Sequence, residues 1–157
     1  MNLLLLNVLL AAGWSALWGS FSLLTLAIGF VVGYAALWIA RPLFGETGYF
    51  ERVWRVSSLA VFFVYELIVS SLRVVWDVFT PRHYSRPGII AVPLDAKTDE
   101  QVLLVANLVS LTPGTLSLDV SDDRKTLYVH AMFVGDPKTV RRDIKEGMER
   151  KVLEAMG

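Results

Sequence analysis

No charged side chain occurs before Arg41. As one helix rising about 1.5 Å per residue, the apolar run from Leu3 to Ala40 would reach nearly 60 Å, twice the roughly 30 Å hydrocarbon core of a bilayer. The run must therefore fold back on itself. Gly19-Ser20 is the place for it, since glycine supplies turn conformations and serine can satisfy a freed backbone group. The expectation is a helical hairpin with helices near 3–18 and 21–40. Trp14, Trp18 and Trp38 lie toward the helix ends, where indole rings favour the membrane interface. A cleaved leader is not expected: a basic n-region is missing and the apolar run is far too long. Gly29 and Gly33 form a G-x-x-x-G step extended by Ala36 and Ala40. Ala12 and Ala16 make a similar stripe on the first helix. Such stripes let backbones approach within lipid, although small residues are common in any apolar segment.

Arg41-Pro42 stops the second helix. After a loop with Gly45 and Gly48, a third apolar segment runs over about 52–79. Arg55, Ser58, Glu66, Ser70, Arg73 and Asp77 recur there at helical spacing and draw one narrow polar stripe. Such a helix can cross the membrane with its stripe against protein, or lie on the surface with its apolar face in the acyl chains. If it crosses, Arg41, Arg52 and Arg55 oppose Arg73, Arg82 and Arg86, and basic residues favour neither orientation. If it does not, every one of them is cytoplasmic, which favours two spans with both termini inside. Against this, Val56 to Leu72 is almost long enough to span. A buried Glu66 costs only about 2.5 to 3.5 kcal/mol on insertion scales. Two spans plus a membrane-associated helix and three spans both stay open.

Glu66 is the residue that invites a functional assignment, because an intramembrane carboxylate is by default a candidate for proton or cation handling. It has no second carboxylate, lysine or histidine within the apolar region with which to form a relay. The bland alternative is that Glu66 pairs with Arg73 or with a neighbouring protein. Arg55, Glu66 and Arg73 together are the candidate partner-facing polar stripe.

The composition changes near residue 85. Of the 15 basic and 15 acidic residues, 5 and 4 precede it, which leaves 10 and 11 for residues 86–157. A lipid-embedded domain, 1–85, is thus joined to a charged α/β domain, 86–157, by a linker through His83, Ser85, Arg86 and Pro87-Gly88. Gly88 to Leu94 suits a buried strand. Thr98-Asp-Glu-Gln101 is a capping box, and Val102 to Leu111 is apolar around most of its circumference, so that helix is expected to be covered on more than one side. Thr115 to Val120 alternates strictly and a polar turn leads into Thr126 to Val134, a hairpin. Asp136-Pro137 starts a last helix whose apolar stripe is Val140, Ile144, Met148 (or Gly147), Val152 and Met156. The order strand, helix, strand, strand, helix makes a small β-α-β-β-α domain of the split β-α-β kind.

Little of this domain reads as chemistry. Ser110, Thr112, Thr115, Ser117, Asp119 and Asp122 fit capping and turns. The turn motif Thr112-Pro113-Gly114-Thr115 lacks the P-loop frame. His130 has no second histidine near it in a metal-binding spacing. The charges of the last helix alternate as on a solvated face. Without cysteine there is no disulfide, thiolate metal site or thiol nucleophile, and a net charge of zero gives no reason to expect nucleic acid. No enzyme activity, cofactor, metal or small-molecule substrate is expected.

Pro87-Gly-Ile-Ile-Ala-Val-Pro93, Asn107-Leu-Val-Ser-Leu-Thr-Pro-Gly-Thr-Leu-Ser-Leu-Asp119 and Asp122-Asp-Arg-Lys-Thr-Leu-Tyr-Val-His130 closely resemble the E-type component of the multisubunit monovalent-cation/proton antiporters, the Mrp, Mnh and Pha systems. The resemblance extends over essentially the whole chain. It implies a small subunit of a bacterial inner-membrane assembly that exchanges Na+ or K+ for protons, with the other subunits and the lipid bilayer as its partners. It also implies that the ion path lies in larger subunits and that the charged domain is cytoplasmic. Two or three short helices without a charge relay make no transport path alone, so an accessory role agrees with the residues. The rival readings are a membrane-tethered ligand-binding or regulatory module, and an ion-handling role for Glu66.

Overall fold

The computed structural model describes residues 2–45, 48–81 and 85–157. Arg82 and His83, counted above in the basic flank and the linker, lie outside the described residues. The composition changes near residue 85, whereas the backbone groups into compact units 1–54 and 55–157, so most of the third helix belongs with the α/β elements.

In the first unit, α1 (Leu3–Leu17) and α2 (Leu23–Ile39) are joined through Gly19, whose φ of +63° is open to glycine at no steric cost. Asn2 caps α1 by accepting from the Leu4 N–H, and Ser22 caps α2 by accepting from the Thr25 N–H. The two helices pack antiparallel. A β-carbon on Gly29 would lie 2.9 Å from the Ala11 carbonyl oxygen, and one on Gly33 would overlap Asn7 Oδ1. Leu3 and Leu37 are buried in one cluster with Phe50. The G-x-x-x-G step is therefore used inside the chain, where it brings the α2 backbone onto α1. The stripe it meets on α1 is Leu3, Asn7, Ala11 and Ser15, not Ala12 and Ala16, because the one-residue offset turns Ala16 outward. Asn7 Nδ2 donates to the Tyr49 hydroxyl at 2.7 Å, and Tyr34, Tyr49 and Phe50 stack edge to face around that bond with Arg41 over the Phe50 ring.

α3 (Tyr49–Phe79) is 31 residues long, about 46 Å, and is apolar enough to cross a bilayer. α1 and α2, with 15 and 17 residues, are about 22 and 26 Å long.

The second unit continues with β1 (Gly88–Pro93), α4 (Asp99–Leu111), β2 (Thr115–Val120) and β3 (Thr126–Ala131). Its sheet has the order β1-β3-β2 with β3 antiparallel to both neighbours, so β1 and β2 run parallel at the edges and α4 is the crossover between them. Ile90, Val92, Leu127, Val129 and Ala131 project from one face into a core completed by Val102, Val105 and Val109 of α4 and by Ile144, Met148 and Val152. The Thr98–Gln101 capping box forms as the sequence predicts. α4 is not covered all round, however. Leu103 and Leu111 are exposed because the sheet and the last helix reach only its Val102–Val105–Val109 side.

The last helix is not uniform. α5 (Pro137–Asp143) and α6 (Arg150–Met156) are joined by a π-helical segment, Ile144–Glu149. Val140, Ile144, Met148 and Val152 recur every fourth residue, and on an ideal α-helix each such step drifts about 40° off the face. The wider π turn absorbs the drift and keeps Ile144, Met148 and Val152 in the core. It also turns Glu149 inward, to 1% exposure. The expectation of a solvated charged face fails at this residue. Glu149 Oε1 accepts from the backbone N–H groups of Asp95 and Ala96, tying the last helix to the β1–α4 connection, while Oε2 lies 3.6 Å from Lys145 Nζ.

Candidate functional site

The polar stripe of α3 lies on the side that meets the α/β elements. Arg55 donates to the Glu154 carbonyl oxygen at 3.5 Å, and Lys151 Nζ donates to Ser58 Oγ at 3.2 Å. Leu59 and Phe62 pack against the α/β core. The Phe62 ring comes so close to the π segment that a β-carbon on Gly147 would stand 3.2 Å from it. Farther along, buried Asp77 accepts from the Ser85 N–H at 3.2 Å. Side-chain contacts thus recur from Arg55 to Asp77, about 33 Å of helix.

Between these contacts the helix stands off and leaves a cleft of about 430 Å³. Glu66, Ser70 and Arg73 line it from α3, the Thr112–Thr115 turn lines it from the end of α4, and Arg142, Asp143, Glu146 and Arg150 line it from the last helix. Two groups of residues singled out in the sequence therefore share one cleft, with Arg55 at a separate contact. Cleft charge balances: Glu66, Asp143 and Glu146 face Arg73, Arg142 and Arg150.

Glu66 and Arg73 do not pair with each other among the described residues. Seven residues separate them by two turns, about 10 Å along the axis, which is beyond ion-pair reach. Ser70, between them, spends its hydroxyl on backbone oxygens of the preceding turn, including Leu67 O at 3.3 Å.

The Thr112–Thr115 turn is equally committed. Thr112 Oγ1 donates to Leu108 O at 2.9 Å, and Thr115 Oγ1 donates to Val109 O at 2.6 Å and Thr112 O at 3.0 Å. The two hydroxyls close the carbonyl end of α4. Gly114, at φ +88°, takes a conformation that other residues resist, which lets the chain reverse into β2. Ser117 Oγ donates to Ala106 O, and Ser110 Oγ accepts from the Ser117 N–H, so these hydroxyls also bind backbone.

A second, more open groove of about 890 Å³ lies along the C-terminal part of α3, bounded by Leu72, Arg73, Trp76 and Asp77 and by Arg86 and Phe133. Sequence reading missed both this groove and buried Glu149. The signal for Glu149 was the strict four-residue repeat of Val140, Ile144, Met148 and Val152, which an unbroken α-helix cannot hold on one face.

This architecture has close relatives. Residues 7–155 match the family model described as Na+/H+ ion antiporter subunit. The E-type component of the Na+/H+ antiporter of Alkalihalophilus pseudofirmus is 40% identical over 151 residues, 96% of each chain. Its counterpart in the Na+/H+ antiporter of Bacillus subtilis is 34% identical over 96% of each chain. Among solved structures, a chain of the Mrp complex from Dietzia sp. aligns with 66% of this chain and 96% of its own length, at 26% identity and a TM-score of 0.51. A chain of the archaeal membrane-bound sulfane sulfur reductase shares the fold over 96% of both chains, with a TM-score of 0.52 and 22% identity. From its sequence motifs through nearly its whole length, the chain belongs to the family of E-type Na+/H+ antiporter subunits.

Proposed function

We propose that this chain is an accessory, non-catalytic subunit of a multisubunit Na+ or K+/H+ antiporter in the cell membrane, where it supports assembly of the complex with the other subunits. The observation that carries this reading is the commitment of α3's polar stripe to the chain's own α/β elements, by Arg55, Ser58, Phe62 and Asp77, with its apolar flank left bare. A carboxylate in an ion path must exchange its cation or proton with a neighbouring site. Glu66 instead lines a charge-balanced cleft between α3 and charged residues of the last helix.

The same packing supports a topology. A domain bearing Arg142, Arg150, Lys151 and Glu154 cannot accompany α3 through hydrocarbon, since each such charge is costly there. We therefore place α3 along the cytoplasmic membrane surface, with Val61, Ile68, Leu72 and Val75 in the acyl chains and the α/β domain in the cytoplasm. The α1–α2 hairpin makes the crossing, and its flanking residues complete the span. This is the two-span arrangement, with Gly48 and Ser85 on the same, cytoplasmic side.

Glu66→Gln tests the function. Normal co-purification with the other subunits and normal cation/proton exchange in everted vesicles are expected. Normal assembly with lost exchange would make Glu66 part of the ion path and overturn the reading. Cysteines at Gly48 and Ser85 test the topology: labelling from opposite sides would require α3 to cross.

A further inference from the structure

We propose that the open groove at the C-terminal part of α3 binds the phosphate of an anionic phospholipid, with Arg73 and Arg86 as its cationic ligands and Leu72 and Trp76 as the wall for its acyl chains. This inference rests on the surface placement of α3 proposed above.

Four observations converge. Both guanidinium groups border the same groove of about 890 Å³, and among the described residues neither forms an ion pair. The one carboxylate there, Asp77, is 3% exposed and already accepts from the Ser85 N–H, so the outer face of the groove carries an excess of positive charge. Both arginines stand on fixed backbone. Arg73 is six residues inside a continuous helix, and Arg86 is held by two hydrogen bonds of 2.9 Å, its N–H to Met132 O and Val134 N–H to its own carbonyl. Finally, the opposite wall is apolar and bare. Leu72 is 62% and Trp76 71% exposed, and they continue the exposed apolar flank of Ile68, Val75 and Phe79.

A free phosphate needs only the cations. An apolar segment of another protein needs only the wall. A phospholipid at the headgroup layer uses both at once, with its phosphate on the arginines and its first methylenes against Leu72 and Trp76. Such a lipid would fasten the α3 end of the α/β unit to the bilayer where the apolar helix gives way to the charged domain.

The test is native mass spectrometry of the assembled complex in mild detergent, titrated with dioleoylphosphatidylglycerol or with dioleoylphosphatidylcholine, reading the lipid carried by this chain when it is ejected. Wild type should carry phosphatidylglycerol in preference to phosphatidylcholine. Arg73→Gln with Arg86→Gln should lower that occupancy about 30-fold, while Arg73→Lys with Arg86→Lys should retain most of it. Equal retention of the two lipids would overturn the proposal, as would unchanged occupancy in the double Gln variant. Displacement of phosphatidylglycerol by millimolar inorganic phosphate would make this a free-anion site. A photo-crosslinker at Leu72 that captures a sister protein of the complex and no lipid would make it a protein contact. If the chain fails to co-purify with the complex at all, the accessory role fails first, on a separate observation.

Discussion

Replacing Glu149 with alanine removes the acceptor for two backbone N–H groups, those of Asp95 and Ala96, at a point where the carboxylate is 1% exposed. Each orphaned donor in a buried setting costs about 1 to 3 kcal/mol. Asp95 lies at the edge, its side chain 68% exposed, so water can reach that end and the lower part of the range applies to it. Lys145 adds nothing, because it keeps Asp95 Oδ2 at 2.8 Å and Pro93 O at 3.0 Å. The sum is about 2 to 4 kcal/mol for Glu149→Ala. Glu149→Gln keeps an oxygen in place of Oε1 and loses only the charge on those bonds, so about 1 kcal/mol is expected. Urea unfolding of the full chain in mild detergent, followed by circular dichroism, should rank wild type above Gln and Gln above Ala. With a slope near 2 kcal/mol per molar, the Ala midpoint falls by roughly 1 to 2 M. Glu154→Ala is the control: its contacts to Arg150 and Lys151 are surface pairs, worth about 0 to 1 kcal/mol. If Glu149→Ala unfolds within about 0.5 kcal/mol of wild type, or if Gln is worse than Ala, the buried tether is not what holds the last helix down.

Two further outcomes follow from local geometry. Gly33→Val puts a side chain where Asn7 Oδ1 already sits, so the hairpin must open at an overpacking cost of about 1 to 3 kcal/mol. A disulfide between cysteines at Leu3 and Leu37 should then form in lower yield, whereas Gly13→Val, which points into open space, should leave the yield unchanged. In the β2–β3 turn, the Ser121 hydroxyl at 2.6 Å and the Lys125 N–H at 3.1 Å hold the Asp123 carboxyl below the usual carboxylate range. Because the folded value is the lower one, this contribution is present above the unfolded value near pH 4 and is lost as pH falls through the folded one. Stability of Asp123→Asn should therefore depend less on pH below about 4 than that of wild type, and parallel acid limbs would refute the assignment.

The hairpin, the capping box, the strands and the polar stripe were legible because each is a local pattern: an uncharged run, a Thr-x-x-Gln step, strict alternation, a helical recurrence. What those patterns face is a tertiary matter. The Arg55–Glu66–Arg73 stripe gave no sign whether its cover was another chain or this one, since the same periodicity serves both. The G-x-x-x-G step likewise carried no record of its partner, and Asn7, the residue Gly33 accommodates, reads in sequence as a stray polar group in an apolar helix. Glu149 was hidden by assuming 3.6 residues per turn throughout the last helix. Alternating charges then look solvated, and only the four-residue apolar repeat shows that the assumption breaks.

The π segment makes the last helix sensitive to length and not only to side-chain identity. Within Ile144–Glu149, deleting a single residue would let the helix close into ordinary α turns and rotate everything after it by about 100°. Val152 would leave the core and Lys151 would swing away from Ser58. Among relatives, insertions and deletions should thus be excluded from this short stretch even where nearly any surface residue can be exchanged, a constraint on spacing that no single substitution would reveal.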